Sequence, residues 1–596
     1  MELGTINAAE RSTGSRTMAD LVPLAGRKHA DRPAIKHKVG EQWVDVSYKE
    51  LAETVKHVAL GLVDIGINPG DKVSILANTR PEWTYSCFGI LGAGATCVSI
   101  YQTNSPEECH YVLHHSESRA VFVEDAEQLA KVREVESDLP HLELIIVMEP
   151  SGDIGDAISF EELCTRGRRR PDSDYEERLA GVKDDDMCLY IYTSGTTGPP
   201  KGCLLTHGNY RRVTDMVETE GRLGGEDELI YLFLPLAHAF ALLIQFVAFD
   251  VGGAIAYWEK DPLKILPNLM EVRPTYFPSV PRIFEKIFTL ANSVGDPEEI
   301  RQAVEVGFKV RQLEDAGEDV PEDLRAAFKD ADEKLYQKVQ ALFGGRLRQA
   351  VTGAAPISKE ILEFFYACGV PVMEGYGMTE TSTVASSNRP EAFRFGSVGK
   401  PLGGVEAKIA EDGELLLRGP NIFQGYFKNE EATKDALADG WLHTGDLGSI
   451  DDDGFIYITG RKKDIIITAG GKNITPANTE NILKQNRWIS QAVVVGDRRP
   501  YLVALITLDP EELPAFAEQH GLAVEDVPQS DQMRAEVQKA VDEANSHVGR
   551  VEQVKKFVIL PHDLTQQTGE LTPTLKVKRN VVNEKYAGEI EALYAG

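Results

Sequence analysis

Four short apolar runs constrain this chain most: Val73 to Leu76, Thr96 to Ile100, Ala120 to Val123 and Leu144 to Met148. They alternate with stretches of helical character, such as Tyr48 to Ile65 and Ser105 to His114. A crossover helix returns the chain to the start of the next strand, so this alternation predicts parallel α/β layers. With 596 residues the chain is too long for one ordinary core, and two or more domains are expected. From Ile283 to Phe343 the pattern turns charged and helical, with opposite charges at helical spacing, and is expected to be a solvated helical excursion. After Arg461 comes DIIITAGGKNITP, and the remainder reads as a small α+β unit. A domain boundary is therefore placed between Gly460 and Asp464.

The formal net charge of -30 argues against nucleic acid as a partner and against loose docking on anionic lipid, because both need basic surface. An anionic substrate would need a local basic site, and Arg461-Lys462-Lys463 and Lys576-Val577-Lys578-Arg579 are candidates. Seven cysteines with no C-x-x-C pair suggest reduced thiols buried in a cytosolic protein, not a disulfide frame or a zinc site. The first residues, MELGTINAAERSTGSRT, lack the apolar segment of a signal peptide. Leu229 to Phe249 carries no Asp, Glu, Lys or Arg, a length and composition that would suit a bilayer. Pro235 and His238 interrupt it, and a buried strand, a turn and a buried helix are the expectation.

MCLYIY from Met187 to Tyr192 is apolar and rich in strand formers, and it feeds YTSGTTGPPKG, a loop of hydroxyls and glycines around Lys201. Glycine removes the Cβ that would keep backbone N–H groups off an anion, hydroxyls add donors and lysine adds charge, so the loop suits phosphate. It fails the pattern G-x-x-x-x-G-K-[ST]. Five residues on from Gly195 stands Pro200, Lys201 is followed by Gly202, and CLLTH reads as strand.

Further along come VTGAAPIS at Val351, EGYGMTET at Glu374, GWLHTGDLG at Gly440, GRKKDIII at Gly460 and LTPTLKVKRN at Leu571. In this order and spacing, with the loop, they resemble the adenylate-forming superfamily of acyl-CoA synthetases, luciferases and peptide-synthetase adenylation domains. The resemblance spans nearly the whole chain. It implies an α/β fold: a large N-terminal domain, residues 1–460, of layered α/β subdomains plus a β-barrel-like part, with the helical insertion at about 283–343. A hinge at 461–464 and a small mobile α+β C-terminal domain, 465–596, would follow.

The resemblance also implies roles. Thr193, Ser194, Gly195, Thr196, Thr197, Gly198 and Lys201 would grip the phosphates of ATP. Thr196 and Glu380 would hold Mg2+, whose hard cation suits hydroxyl and carboxylate oxygen. Tyr376 resembles the ring that stacks on adenine, with Gly353 and Ala354 as close backbone on its other side and Glu374, Gly375 and Gly377 in the same motif. Thr379 would donate to the α-phosphate. Asp446 would accept from the ribose hydroxyls, with Arg461 beside it. Lys576 would neutralise charge where the acid meets the α-phosphate. Leu575 stands before it where the commoner family form has Gly, and Lys578 is the alternative lysine. Lys463 lies at the hinge, and Gly470 and Gly471 would border the pantetheine arm of CoA.

His238, in LPLAHAFA, resembles the residue at the mouth of the acid pocket. AFALLIQFVAF, with Gly375 and Met378, suits a fatty acyl chain. The expected activity is that of a long-chain fatty-acid–CoA ligase: fatty acid and ATP give acyl-AMP and pyrophosphate, then CoA gives acyl-CoA and AMP. A ligase handing acyl-AMP to a carrier protein, a luciferase-type oxygenase and a non-catalytic acyl-adenylate or nucleotide sensor are the alternatives. A cytoplasmic protein, with transient association at the inner membrane face and a homodimer as possible states, completes the expectation.

Overall fold

The computed structural model describes residues 12–595 apart from 194–198, 221–222, 224–226, 295, 470–471 and 573–574. Two large sheets dominate it. A seven-stranded sheet runs, edge to edge, Ile158–Ser159, Leu144–Val147, Ala120–Val123, Lys72–Leu76, Thr96–Ile100, Met187–Thr193 and Lys201–Thr206. All its pairs are parallel except the last. A nine-stranded sheet runs Lys400–Pro401, Ser386–Ser387, Val372–Tyr376, Gln349–Thr352, Tyr276–Ser279, Leu229–Leu232, Ala254–Tyr257, Pro33–Val39 and Gln42–Ser47. Its five middle pairings, from Val372–Tyr376 to Pro33–Val39, are all parallel.

The four apolar runs are strands, and the helices around them begin where their caps dictate. Ser47 and Glu50 form a reciprocal capping box before Tyr48–Asp64, and Ser105 and Glu108 another before Pro106–Ser116. Leu229 to Phe249 resolves into strand Leu229–Leu232 and helix Ala239–Asp250, buried at every position except the partly buried Phe240. Among the described residues no helix is long and apolar enough to cross a membrane. The apolar helix is needed elsewhere: it lies between the sheets, with Phe246 and Phe249 against Phe88 of helix Pro81–Gly92 at ring separations of 5.6 and 5.9 Å. Burying each such ring stabilises the fold by roughly 1.5–3 kcal/mol. All seven cysteines are free and buried, as small core residues.

One expectation changes. The charged stretch after Ile283 is not a merely solvated excursion, because Ile300, Gly307 and Val310 of helix Pro297–Asp315 are buried. A Cβ on Gly307 would stand 2.7 Å from the Ala367 carbonyl oxygen, so the helix meets Lys359–Ala367 backbone to backbone. Tyr336 donates to the Ala303 carbonyl at 2.5 Å. A narrow apolar stripe at helical spacing was hidden by the surrounding charge.

The part expected to be β-barrel-like is a four-stranded antiparallel sheet, Glu406–Ile409, Glu414–Arg418, Leu442–Ile450 and Ile456–Arg461. One helical turn, Lys462–Asp464, leads to the C-terminal domain. There the strands Ile489–Val495, Leu502–Leu508 and Val554–Ile559 pack on helices Pro476–Leu483 and Asp531–Ser546 around a separate core that includes Leu483, Ile506, Val537 and Val541. The domain docks on the large one through Lys286 and Glu511, 2.6 Å apart, and through the pair Arg282 and Asp509.

Candidate active site

Both sheets deliver their candidate residues at the carboxyl ends of parallel strands, where open α/β sheets leave a crevice. Thr193 closes Met187–Thr193 and pairs in register with Lys201 across the loop. Ser194, Gly195, Thr196, Thr197 and Gly198 lie outside the described residues, as do Gly470 and Gly471. Gly353 and Tyr376 lie at the ends of adjacent strands. A Cβ on Gly353 would meet the Gly375 carbonyl oxygen at 3.0 Å, and one on Gly377 would sit 1.9 Å from the Thr383 carbonyl oxygen. Only glycine lets the backbones close in this way. Ala354 bends away with φ +66°. These close backbone approaches flank the strand that ends at Tyr376.

The Tyr376 hydroxyl donates to Asp446 Oδ2 at 2.6 Å, and Arg461 Nε donates to Asp446 Oδ1 at 2.8 Å. Asp446 sits at a sharp bend where Thr444 Oγ1 accepts from its N–H at 3.0 Å and donates to the Leu415 carbonyl at 2.7 Å. Glu414, which sequence reasoning passed over, accepts from the Gly445 N–H at 2.8 Å and from Lys462 Nζ at 3.2 Å. It braces the bend from below. Glu374 is buried on the same strand as Tyr376, and burial pushes its carboxyl up to about 8, against a backbone bond from Ile357. At neutral pH it is protonated.

Thr379 and Glu380 occupy a single turn, Thr379–Thr381, and both are buried. The Tyr426 hydroxyl donates to Glu380 Oε1 at 2.7 Å, while Lys201 Nζ stands 4.8 Å from the centre of the same Tyr426 ring. Among the described residues no group of three or more His, Cys, Asp or Glu is placed to hold a metal ion. Glu380 offers a single carboxylate here, with Oε1 already accepting from Tyr426.

His238 caps helix Ala239–Asp250, its Nδ1 accepting from the Phe240 N–H at 3.2 Å. That bond leaves the proton on Nε2. Burial, and next the Lys576 ammonium, pull its pKa down to about 4, so the ring is neutral at physiological pH. The loop before it is held by the other sheet. Thr79 Oγ1 donates to the Leu234 carbonyl at 2.7 Å and accepts from the Leu236 N–H at 2.9 Å, and Ser99 Oγ donates to the Ala237 carbonyl at 2.9 Å. Two hydroxyls thus clamp the segment across the sheet interface. No motif marks them: Thr79 lies in a plain ANTRP loop and Ser99 within a strand.

Lys576 enters from the C-terminal domain. The cleft leaves its side chain open to water, yet the surrounding protein still holds its pKa below the usual lysine range. Desolvation is the main cause and the Arg461 charge the next, while Asp446 and Glu380 oppose them. Lys578 is tied to the domain's own framework, its N–H donating to the Glu570 carbonyl at 2.7 Å. Leu575, before Lys576, takes φ +59°, a region that favours glycine. Lys463 is exposed in the linking turn.

The cleft thus gathers Tyr376, Asp446, Arg461, Glu380, Lys201, His238 and Lys576. Comparison with known proteins gives the arrangement a family. The AMP-binding enzyme family matches residues 24–427, and the AMP-binding enzyme C-terminal domain matches 463–596. The long-chain-fatty-acid–CoA ligase FadD15 of Mycobacterium bovis is 40% identical over 561 residues, covering 93% of this chain and 92% of its own. The long-chain-fatty-acid–CoA ligase ACSBG2 of Xenopus laevis is 35% identical, covering 97% and 84%. Among solved structures, the adenylation domain of a carboxylate reductase from Mycobacterium chelonae superposes with TM-score 0.77 at 20% identity, over 99% of this chain and 93% of its own. The anthranilate CoA ligase AuaEII, in complex with anthranoyl-AMP, gives 0.73 at 21% identity, over 99% and 100%; both show the shared fold. The chain belongs to the AMP-binding enzyme family.

Proposed function

We propose that this chain is an ATP-dependent long-chain fatty-acid–CoA ligase. The observation that supports this best is the meeting of Lys576 with Asp446, Arg461, Glu380 and His238 in one cleft. In the first step a fatty-acid carboxylate oxygen attacks the α-phosphorus of ATP and pyrophosphate leaves. In the second the thiolate of CoA attacks the acyl carbon and AMP leaves. Two anions must meet in the first step, and Lys576 supplies the positive charge between them. Its pKa is lowered, by desolvation first and the Arg461 charge next.

In this reading Tyr376 stacks on adenine beside Gly353, Ala354, Gly375 and Gly377, with Glu374 as a neutral neighbour. Asp446 and Arg461 take the ribose, and Thr379 donates to the α-phosphate. The segment from Thr193 to Lys201 grips the β- and γ-phosphates. Glu380 and Thr196 hold Mg2+, which supplies charge neutralisation on those phosphates. Neutral His238 presents Nε2–H at the acid pocket, and helix Ala239–Asp250 forms its apolar wall. The working division is residues 1–460 for adenylation, 461–464 for the hinge that includes Lys463, and 465–596 for the mobile domain. Gly470 and Gly471 border the pantetheine arm after rotation.

The test is fatty-acid-dependent pyrophosphate release with and without CoA, over a series of chain lengths, for the native protein and Lys576→Ala. Release that needs fatty acid, acyl-CoA formed with CoA, and failure of the variant at adenylation are expected. Pyrophosphate without acyl-CoA would move the acceptor to a carrier protein. Silence with every acid would leave a nucleotide sensor.

A further inference from the structure

Tyr426 touches the two groups of opposite charge on which the phosphate end of the cleft depends. Its hydroxyl reaches Glu380 Oε1 in the plane of the ring at 2.7 Å, and Lys201 Nζ lies over the face, 4.8 Å from the centroid. The ring cannot drift. The Tyr426 N–H donates to Thr433 Oγ1 at 2.9 Å, and its flanks pair like an added strand with Lys201–Thr206. There Gln424 N–H donates to the Leu204 carbonyl at 2.9 Å and Phe427 N–H to the Gly202 carbonyl at 2.8 Å. Phe423 N–H donates to the Glu380 carbonyl at 2.9 Å, and the Phe423 ring packs edge-on against Tyr426 at 4.9 Å. One short segment therefore fixes the spacing between the strand that carries Lys201 and the turn that carries Glu380.

A lysine and a glutamate at the mouth of a polyphosphate site would otherwise join in an ion pair. Such a pair neutralises the cation meant for phosphate and occupies the carboxylate meant for metal, and it must be broken for each incoming nucleotide. An aromatic face holds an ammonium more loosely than a carboxylate does, so the lysine leaves it at small cost. A hydroxyl donor occupies one lone pair of the carboxylate and leaves the others for a cation.

We propose that Tyr426 is a positioning residue that holds Lys201 and Glu380 apart, keeping the cation free for the polyphosphate of ATP and orienting the carboxylate for Mg2+. This rests on the proposed nucleotide roles of Lys201 and Glu380, and its test separates the two. ATP affinity is measured by calorimetry on the full chain without fatty acid, once with Mg2+ and once with EDTA. The proteins compared are the native chain, Tyr426→Phe, Tyr426→Leu, Glu380→Gln and the double variant Tyr426→Leu/Glu380→Gln. Native protein binds ATP more tightly with Mg2+, and Glu380→Gln loses most of that gain. Tyr426→Phe keeps the spacer and loses the donor, so the Mg2+ gain falls by about three- to tenfold while affinity in EDTA stays native. Tyr426→Leu also lets Lys201 collapse onto Glu380 and weakens binding in EDTA by about three- to tenfold. The double variant restores it, because the partner of that collapse is gone. A folded Tyr426→Phe with a native Mg2+ gain, beside a Glu380→Gln that loses it, overturns the inference alone. If Glu380→Gln keeps the Mg2+ gain, the role of Glu380 falls and this inference falls with it.

Discussion

The two walls of the cleft are built in opposite ways. On the large domain, Asp446, Glu380 and Thr379 are 5%, 6% and 7% exposed and tied into networks that reach well beneath the surface. On the small domain, Lys576 stands in water and Leu575 beside it is 58% exposed. The domains are joined by pairs such as Lys286–Glu511, whose side chains are 36% and 56% exposed. Pairs of that kind contribute about 0–1 kcal/mol. The carboxyl of Glu360 also faces Glu543 across the joint, and burial first, then that like charge, raises its pKa. One wall is therefore tied deep into its own domain, and the other meets it across a joint that includes exposed ion pairs, as a domain proposed to rotate would need. A two-step ligase needs both, because adenylate must stay while its neighbours change.

The largest effect belongs to the delivered wall. Lys576→Met should slow adenylation by about 100- to 1,000-fold, the scale of losing one preorganised charge at a reacting centre. Conversion of supplied acyl-AMP and CoA to acyl-CoA should stay within a few-fold of native, since that step is proposed to follow rotation of the domain. Single-turnover measurements of each half-reaction separate them. Equal losses in both would mean that the lysine does not belong to one arrangement only.

The fixed wall should show its burial through pH. The Glu374 pKa is raised from 4.5 to about 8, so the folded state holds a proton that the unfolded chain has released. Stability from this group is complete below about 4.5 and is lost as pH rises towards 8, at no more than about 1.4 kcal/mol per pH unit. Glu374→Gln copies the neutral carboxyl and removes the slope. Urea unfolding should find the two proteins alike at pH 5 and the variant more stable at pH 8; parallel curves would mean that the carboxyl ionises freely in the fold.

Much of this wall was legible in sequence because its residues sit in contiguous motifs with chemistry of their own: Glu374 to Glu380, Thr444 to Asp446, Arg461. Strands such as Ala120–Val123 were legible for a similar reason, since a short apolar run has one place to go. Tyr426, Thr79, Ser99 and Glu414 were not legible. Each is an ordinary residue whose role comes from a partner distant in sequence, as with the 157 positions between Thr79 and Leu236. The buried stripe of Ile300, Gly307 and Val310 was lost in charge for the same reason: it is defined by the helix it meets.

Thr79 tests whether the fixed wall owes its rigidity to such distant contacts. Thr79→Val keeps the shape and removes both bonds to the His238 loop, leaving the Leu234 carbonyl and Leu236 N–H buried without that partner. The cost should be about 1–3 kcal/mol of stability. The Michaelis constant for fatty acid should rise more than that for ATP, because the loop leads to His238, which is proposed to stand at the acid pocket. Thr79→Ser should restore both. An equal rise for the two substrates would assign the hydroxyl to general packing.

The smallest effect lies at Leu575, where the delivered wall is less loose than its exposure suggests. Thr572 and Lys576 bond reciprocally, the Thr572 N–H donating to the Lys576 carbonyl at 2.8 Å and the Lys576 N–H to Thr572 Oγ1 at 3.0 Å. Between them Leu575 takes φ +59°, which costs a residue with a Cβ about 1–2 kcal/mol. Leu575→Gly removes that strain but gives the unfolded chain more freedom, worth about 0.5–1 kcal/mol in the other direction. Global stability should therefore move by less than about 1 kcal/mol. The local change is the informative one. Freed of its Cβ, the turn should open more often, and exchange of the Lys576 amide should quicken by about three- to tenfold, with adenylation slowed by no more than that. Unchanged exchange would mean that the reciprocal bonds alone hold the lysine, and that the strained leucine contributes nothing to its placement.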